Sequence, residues 1–176
     1  MKKKAVAVLD KNVIVSYDDD VARDLSSRSQ YGVIKLKGQV HFSFVEALYL
    51  VSIEKLSVFD LKKTEYTFER LFQKLKRFDS SLSLRYTVFA DLRSKGYIVK
   101  TALKFGSDFR VYDKGTRPGE AHAKWIVYPI HETQKIRWNE FSSKNRVAHS
   151  TRKHILLAIV DDELDVSYFD VHWVRP

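Results

Sequence analysis

Residues 154–160 read HILLAIV, with six apolar side chains in a row after the histidine. A strand that is apolar at every position is typical of a parallel or mixed sheet that is covered on both faces. We therefore predict that this segment is a central strand, buried on both faces. A strand of this kind indicates an α/β domain.

Segments of strand and helix character surround this run. In the second half of the chain, predicted strands lie at 97–105, 108–113, 123–130 and 165–174, with a helix at 137–150. In the first half, a hairpin (5–10 and 12–17) and an alternating segment (32–43) precede helices at 44–56, 67–78 and 84–96. Ser43 and Glu46 form a capping box for the first of these helices, and Gly96 is the expected stop of the last. We expect two mixed α/β domains, residues 1–84 and 85–176.

The composition limits the class of protein. The chain has 176 residues, of which 44% are hydrophobic, which is ordinary for a packed globular protein. It contains no cysteine, so disulfides and thiolate metal sites are excluded. No segment reaches the roughly 18 consecutive apolar residues of a membrane span. We expect a cytoplasmic protein with no membrane partner.

The charge is unevenly distributed. The formal net charge is +9; residues 85–160 also carry a net +9, whereas the last sixteen residues are net negative. A basic body suggests a polyanionic partner such as nucleic acid. Scattered surface charge and a solvated hairpin tip are the alternative explanation.

One tyrosine stands out in residues 105–115, FGSDFRVYDKG. Strand alternation places Tyr112 with Asp108 and Arg110 on the polar face, opposite Phe109 and Val111. A half-exposed tyrosine in a strand is usually a packing or hydrogen-bonding residue.

Other polar groups lie at the ends of predicted elements. His122 precedes a strand in a Pro-Gly loop, and Lys153 directly precedes the apolar run. Each also has an ordinary explanation. His122 would be a histidine of a surface loop, and Lys153 would extend its ammonium group to solvent. If the preceding helix continued to its last turn, Arg146 and Lys153 would project from one face. A phenol, an imidazole and an ammonium that converged could cleave RNA without a metal, since the 2'-hydroxyl is the nucleophile.

Three separated stretches carry a family resemblance. They read YTVFADLRSKGYIVKTALKFGSDFRVYDKG (86–115), RPGEAHAKWIV (117–127) and RVAHSTRKHILLAIVDDELDVSYFDV (146–171). Together they resemble the catalytic subunit of archaeal tRNA-splicing endonucleases. SFVEALYLV (43–51) is similar to the N-terminal half of that family.

The resemblance implies roles for four residues. Tyr112 would be the general base on the 2'-hydroxyl, His122 the general acid and Lys153 the charge stabiliser. A free phenol titrates near pH 10, so the base role requires cationic surroundings, which Lys153 and Arg146 could supply. Arg146 would also stack on a bulged base of the RNA. The substrate would be precursor tRNA, cut at a bulge-helix-bulge to leave a 2',3'-cyclic phosphate and a 5'-hydroxyl, with no cofactor and no metal.

The resemblance also implies an architecture and an assembly. A mixed α/β N-terminal domain would precede a catalytic domain of restriction-endonuclease type with a central mixed sheet. The protein would form a homotetramer, or a heterotetramer with a related subunit, through an acidic loop that docks into a basic pocket of a neighbour. The loop residues would be Asp161, Asp162, Glu163 and Asp165. Relatives commonly carry a glycine in this turn, where this chain has Leu164.

Two alternatives come from other functional classes. A metal-dependent DNA nuclease would need an acidic pair and a Glu-x-Lys, but the spacing from Glu120 to Lys124 does not fit. A non-catalytic structural or RNA-binding subunit would lack the triad, whereas all three positions are occupied here.

Overall fold

The computed structural model describes residues 3–102 and 106–174. The chain divides into two compact units, Met1–Tyr86 and Thr87–Pro176. None of the helices in the described residues is long and apolar enough to span a membrane.

The first unit is built on a five-stranded mixed sheet. Its strand order is β3-β4-β2-β1-β5, in which β1 and β5 are parallel and the other neighbours antiparallel. The elements are β1 (Ala5–Asp10), β2 (Val13–Ser16), α1 (Asp20–Ser27), β3 (Val33–Ile34), a 3₁₀ turn (Leu36–Gly38), β4 (Val40–Phe42), α2 (Phe44–Ser52), β5 (Leu56–Phe59) and α3 (Phe68–Lys76). The predicted hairpin is therefore confirmed.

Helix α2 begins where the capping box predicted. The side chain of Ser43 accepts from the backbone N–H of Glu46, whose carboxylate in turn accepts from the Ser43 N–H at 2.9 Å. The same buried carboxylate accepts from the N–H of Gly32 at 2.9 Å. Gly32 has φ +67, and a Cβ there would lie 2.8 Å from a Val40 methyl, so a larger residue does not fit. Glu46 thus anchors the helix to the loop before β3.

The prediction that α2 extends to residue 56 is wrong. The helix ends at Ser52, because Glu54 adopts φ +56 and the Lys55 N–H turns back to the carbonyl of Leu50 at 2.8 Å. This six-to-one bond closes a helix in the same way as a C-terminal glycine does. Leu56 then pairs with Ala5 in the sheet.

The second unit contains the other five-stranded sheet, in the order β10-β9-β8-β7-β6. Helix α4 (Leu82–Ser94) crosses the division between the units. The remaining elements are β6 (Ile98–Thr101), β7 (Phe109–Tyr112), β8 (Trp125–His131), α5 (Trp138–Ser150), β9 (His154–Val160) and β10 (Val166–Val171). Only β8 and β9 are parallel, so this sheet is also mixed. The predicted strand at 97–105 ends in three residues that lie outside those described.

The apolar run forms β9, which is interior to the sheet but not its middle strand. The middle strand is β8, which is buried at five consecutive positions, whereas Leu157 and Ile159 of β9 are only half-buried. The prediction of a central strand buried on both faces is therefore wrong in part. Apolar content does not reveal strand order, because order depends on pairing between distant segments.

Each face of this sheet packs against one helix. Ile126, Tyr128 and Ile155 form a buried cluster with Ala148 of α5. On the opposite face, the rings of Phe109 and Phe89 of α4 lie 5.8 Å apart. The mixed α/β fold class is confirmed for both units.

A hydroxyl group on β10 binds α4 directly. Tyr168 donates from its hydroxyl to the Asp91 carboxylate at 2.7 Å. Burial is the main cause, and this hydrogen bond the second, that raises the pKa of Tyr168 well above that of a free phenol. Lys95 also lies 5.1 Å from the centre of the Tyr168 ring, so the edge strand β10 is fixed to the α4 face.

Candidate active site

An open pocket of about 430 Å³ lies in the second unit, where β7 ends. It contains all three side chains of the predicted triad, Tyr112, His122 and Lys153, although these residues are up to 41 positions apart. Among the described residues, the lining is Arg110, Tyr112, Pro118, Gly119, Glu120, Ala121, His122, Ala123 and Lys153.

Tyr112 is the last residue of β7 and is only 4% exposed. The expectation of a half-exposed tyrosine on a polar face is therefore wrong. Arg110 and Tyr112 both line the pocket, and the guanidinium carbon of Arg110 lies 5.9 Å from the centre of the Tyr112 ring. The phenol thus stands beside a cation and at the edge of an open volume.

His122 is held near Tyr112 by the loop that joins β7 to β8. The loop leaves β7 after Tyr112 and returns when the Lys124 N–H donates to the Val111 carbonyl at 2.9 Å. A bridge between Pro118 and Ala121 closes the loop just before the histidine. His122 itself is exposed. An imidazole, which can accept or donate a proton, therefore lies at the mouth of the pocket.

Lys153 is placed by the end of α5. Arg152 adopts φ +55, and the Lys153 N–H donates to the Ala148 carbonyl at 2.9 Å, which reverses the chain before β9. The Lys153 ammonium donates to the Thr151 carbonyl at 2.8 Å. The pKa of Lys153 is lowered mainly by partial burial and, to a smaller extent, by the positive charge of Arg110. The two cations therefore face the same volume.

Two family models match the chain. Residues 82–168 match the model described as tRNA intron endonuclease, catalytic C-terminal domain, and residues 5–72 match that of the N-terminal domain. The tRNA-splicing endonuclease of Pyrococcus abyssi is 39% identical over 176 residues, which is 99% of both chains. The chain belongs to the tRNA-splicing endonuclease family. The protein of the same name from Nanoarchaeum equitans is 42% identical over 138 residues, covering 75% of this chain and 88% of the relative.

These matches confirm the predicted family and enzyme class. A third relative, the tRNA-splicing endonuclease of Thermococcus onnurineus, is 38% identical over 151 residues, covering 86% of this chain and 85% of the relative. The range that matches the catalytic-domain model, residues 82–168, includes every described residue of the pocket lining. The roles of the three triad residues remain predictions.

The pocket also contains an arginine that was not predicted to belong to the site. Arg110 is two residues before Tyr112 on β7, so alternation directs both side chains to one face. Its buried Nε has no hydrogen-bond partner among the described residues. The signal was present in the sequence, because the alternation predicts that Asp108, Arg110 and Tyr112 share a polar face, but it does not show that this face lines a pocket.

Arg146 lies elsewhere than expected. Helix α5 ends at Ser150, so Lys153 is outside the helix and the two side chains do not share a helical face. Arg146 is exposed on α5 and is not part of the pocket lining. Arg110, not Arg146, is therefore the arginine beside Tyr112 in this endonuclease.

The acidic loop joins β9 to β10. The N–H of Leu164 donates to the Asp161 carbonyl at 3.1 Å, and Leu164 takes φ +69, the conformation that glycine favours. The side chains of Asp162, Glu163 and Asp165 are exposed. Asp162 lies 3.2 Å from His131 Nε2.

The acidic and basic residues weighed for a metal-dependent nuclease separate in space. Glu120 lines the pocket, but Lys124 does not. Lys124 lies 3.5 Å from the Asp113 carboxylate and 4.4 Å from the centre of the Trp125 ring.

Proposed function

We propose that the chain is a catalytic subunit that cleaves precursor tRNA at exon-intron junctions through 2'-hydroxyl attack. The observation that carries the proposal is the convergence of Tyr112, His122 and Lys153 on one pocket. Family membership supports the same activity, since relatives are named tRNA-splicing endonuclease.

The reaction is a single displacement at phosphorus. Tyr112 takes the proton from the 2'-hydroxyl, and the 2'-oxygen forms a bond to phosphorus. The bond from phosphorus to the 5'-oxygen breaks, and His122 gives its proton to that oxygen. The products are a 2',3'-cyclic phosphate and a 5'-hydroxyl, so the reaction consumes no water and needs no metal.

The cations of the pocket suit this chemistry. Negative charge develops on the non-bridging phosphate oxygens in the transition state, and fixed cations in a partly buried site stabilise it. Lys153 is the group assigned to this task, and the Thr151 carbonyl that it now contacts would be exchanged for a phosphate oxygen. The charge of Arg110 lowers the pKa of Lys153, and the negative charge of a bound phosphate would act in the opposite direction, favouring the protonated Lys153 amine. Arg110 adds a second cation to the pocket beside the Tyr112 ring.

Substrate recognition is assigned to shape and to the phosphate backbone. The proposed target is two bulges separated by a short helix, read by two active sites of a tetramer. Exposed Arg146 is available to stack on a bulged base, for which a planar guanidinium is suited. The exposed acidic loop is the proposed contact with a neighbouring subunit, in a homotetramer or in a heterotetramer with a related subunit.

The pocket disfavours both alternative functions. A non-catalytic subunit has no use for three convergent proton-transfer and cationic groups. A two-metal DNA nuclease requires several acidic ligands, and Glu120 is the one acidic side chain in the described lining.

Cleavage of a junction RNA in excess EDTA tests the proposal directly. We expect undiminished cleavage with a cyclic phosphate product. The matched control is the same RNA with a single 2'-deoxy nucleotide at the cleavage site, which should remain intact because the nucleophile is absent. Loss of activity in EDTA, or cleavage of the deoxy-substituted strand, would refute the mechanism.

A further inference from the structure

Two histidines and an aspartate meet at the end of the β9–β10 ladder, away from the pocket. The antiparallel register pairs Val171 with Ile155 and Asp170 with Leu156. Continued by one residue, it places His172 opposite His154, with Asp170 diagonal to His154. Side chains at opposite and diagonal positions of an antiparallel pair lie within reach of one another.

The three side chains do converge. One ligand atom from each lies within 4.8 Å of the other two. His154 Nδ1 is 2.9 Å from Asp170 Oδ1, and the rings of His154 and His172 are 5.0 Å apart at their centres. Among the described residues, this is the single cluster of three or more His, Cys, Asp or Glu side chains with metal-binding geometry.

We propose that His154, Asp170 and His172 bind one zinc ion. Imidazole nitrogen and carboxylate oxygen are both zinc ligands, and three protein ligands leave a fourth tetrahedral position for water. The charge also fits, because two neutral imidazoles and one carboxylate present a single negative charge to a divalent cation.

The geometry needs only a small adjustment. Ligand atoms bound to a tetrahedral zinc at 2.0–2.1 Å are about 3.3 Å apart. The contact between His154 and Asp170 would therefore open by a few tenths of an ångström, while the longest separation closes by rotation of exposed side chains. The side chains of His154 and Asp170 are 40% and 42% exposed, so a hydrated ion can reach them.

A plain ion pair between His154 and Asp170 is the competing explanation. It accounts for the 2.9 Å contact but gives no role to the second imidazole, which lies beside the first. Two imidazolium rings so close would repel each other, whereas two neutral rings can share one cation. The metal uses all three side chains.

The site is separate from the pocket. Asp170 is two residues from Tyr168, which contacts Asp91 of α4, so the cluster is on the α4 face of the sheet. Phe109 packs against Phe89 of α4, so Phe109 and Val111 lie on the α4 face of the sheet. Alternation along β7 therefore directs Tyr112 to the other face. None of the three ligands lines the pocket. Zinc would therefore tie the segment after β10 to β9, as a structural ion.

Equilibrium dialysis of the full-length, untagged chain against ZnCl2, after EDTA stripping, tests the site. We expect one zinc per chain at micromolar concentrations, a melting temperature that rises with zinc, and, with CoCl2 as the probe, the visible absorption of tetrahedral cobalt. His172→Gln and Asp170→Asn should each lose bound zinc and the melting shift. Both change exposed side chains, so either one serves if the other fails to fold.

His41→Gln is the matched control, because His41 lies in the first unit. It should keep the full zinc content. The proposal fails if the unaltered chain retains no zinc, if both ligand variants bind as much as it does, or if His41→Gln loses zinc to the same extent.

Discussion

Two carboxylates of the first unit and the polar groups of the pocket differ in what they bind. Glu46 accepts from the backbone of Gly32 and Ser43, and Asp19 accepts from the N–H groups of Val6 and Val21. These carboxylates fix loops and helix ends. The pocket instead gathers cations and a phenol around open space. A carboxylate that accepts from several backbone N–H groups holds the fold, whereas a group that also faces a cavity, such as Lys153, can exchange its backbone partner for a ligand.

Removing an imidazole from the pocket should have the largest effect on activity. His122→Ala should slow cleavage of a junction RNA by about 10²–10⁴-fold, the range for a lost general acid. Single-turnover rates at saturating enzyme measure this loss. The melting temperature should hardly move, because His122 is exposed. A rate within a factor of three of the unaltered enzyme would remove His122 from the mechanism.

The reverse pattern is expected for Glu46→Ala. The free energy of unfolding should fall by about 2–4 kcal/mol, because the buried Gly32 N–H loses its acceptor and the capping box is broken. Urea denaturation measures the change, and cleavage at a permissive temperature should persist.

Glu69→Ala is the control for this substitution. Glu69 is also in the first turn of a helix, but it is exposed, so its loss should cost less than about 1 kcal/mol. Equal costs for the two variants would contradict the structural role assigned to the buried carboxylate.

The smallest effect is expected in the acidic loop. Leu164 has φ +69 and is 61% exposed, so its side chain strains the backbone and packs little. Leu164→Gly should raise the free energy of unfolding by about 0.5 kcal/mol, because glycine adopts this conformation without a steric penalty. Leu164→Ala keeps the Cβ and should give no gain. A destabilised glycine variant, measured by urea denaturation, would show that the exposed leucine has a packing role.

Local signals in the sequence were sufficient to locate one helix start and one helix end. Ser43 and Glu46 predicted the start of α2, and Gly96 predicted the end of α4. The end at Glu54 was missed, although its backbone takes the same left-handed conformation, whereas the predicted end of α5 at residue 150 is confirmed. No residue type announces such an end when glycine is absent, and Leu56 was drawn into β5 by pairing with Ala5.

The composition of the site was predictable in part. The resemblance named Tyr112, His122 and Lys153, and all three line the pocket. The burial of Tyr112 and the membership of Arg110 were not foreseen, because alternation distinguishes two faces but not which face is covered. The cluster of His154 and His172 depends on the β9–β10 register, which pairs Val160 with Val166 across the turn, and that register was not predicted from the sequence.

The loop that carries His122 joins β7 to β8, and its far end is hydrogen-bonded back to Val111 of β7. Gly115, inside it, has open space around it, and the turn that closes the loop lies beyond, at Pro118 and Ala121. Additional residues inserted at Gly115 would therefore bulge outward without shifting Tyr112 or the return of Lys124 to β7. Doubling the length of such a loop costs only about 0.6 kcal/mol. The length of this loop can therefore vary while Tyr112 and His122 keep their places at the pocket.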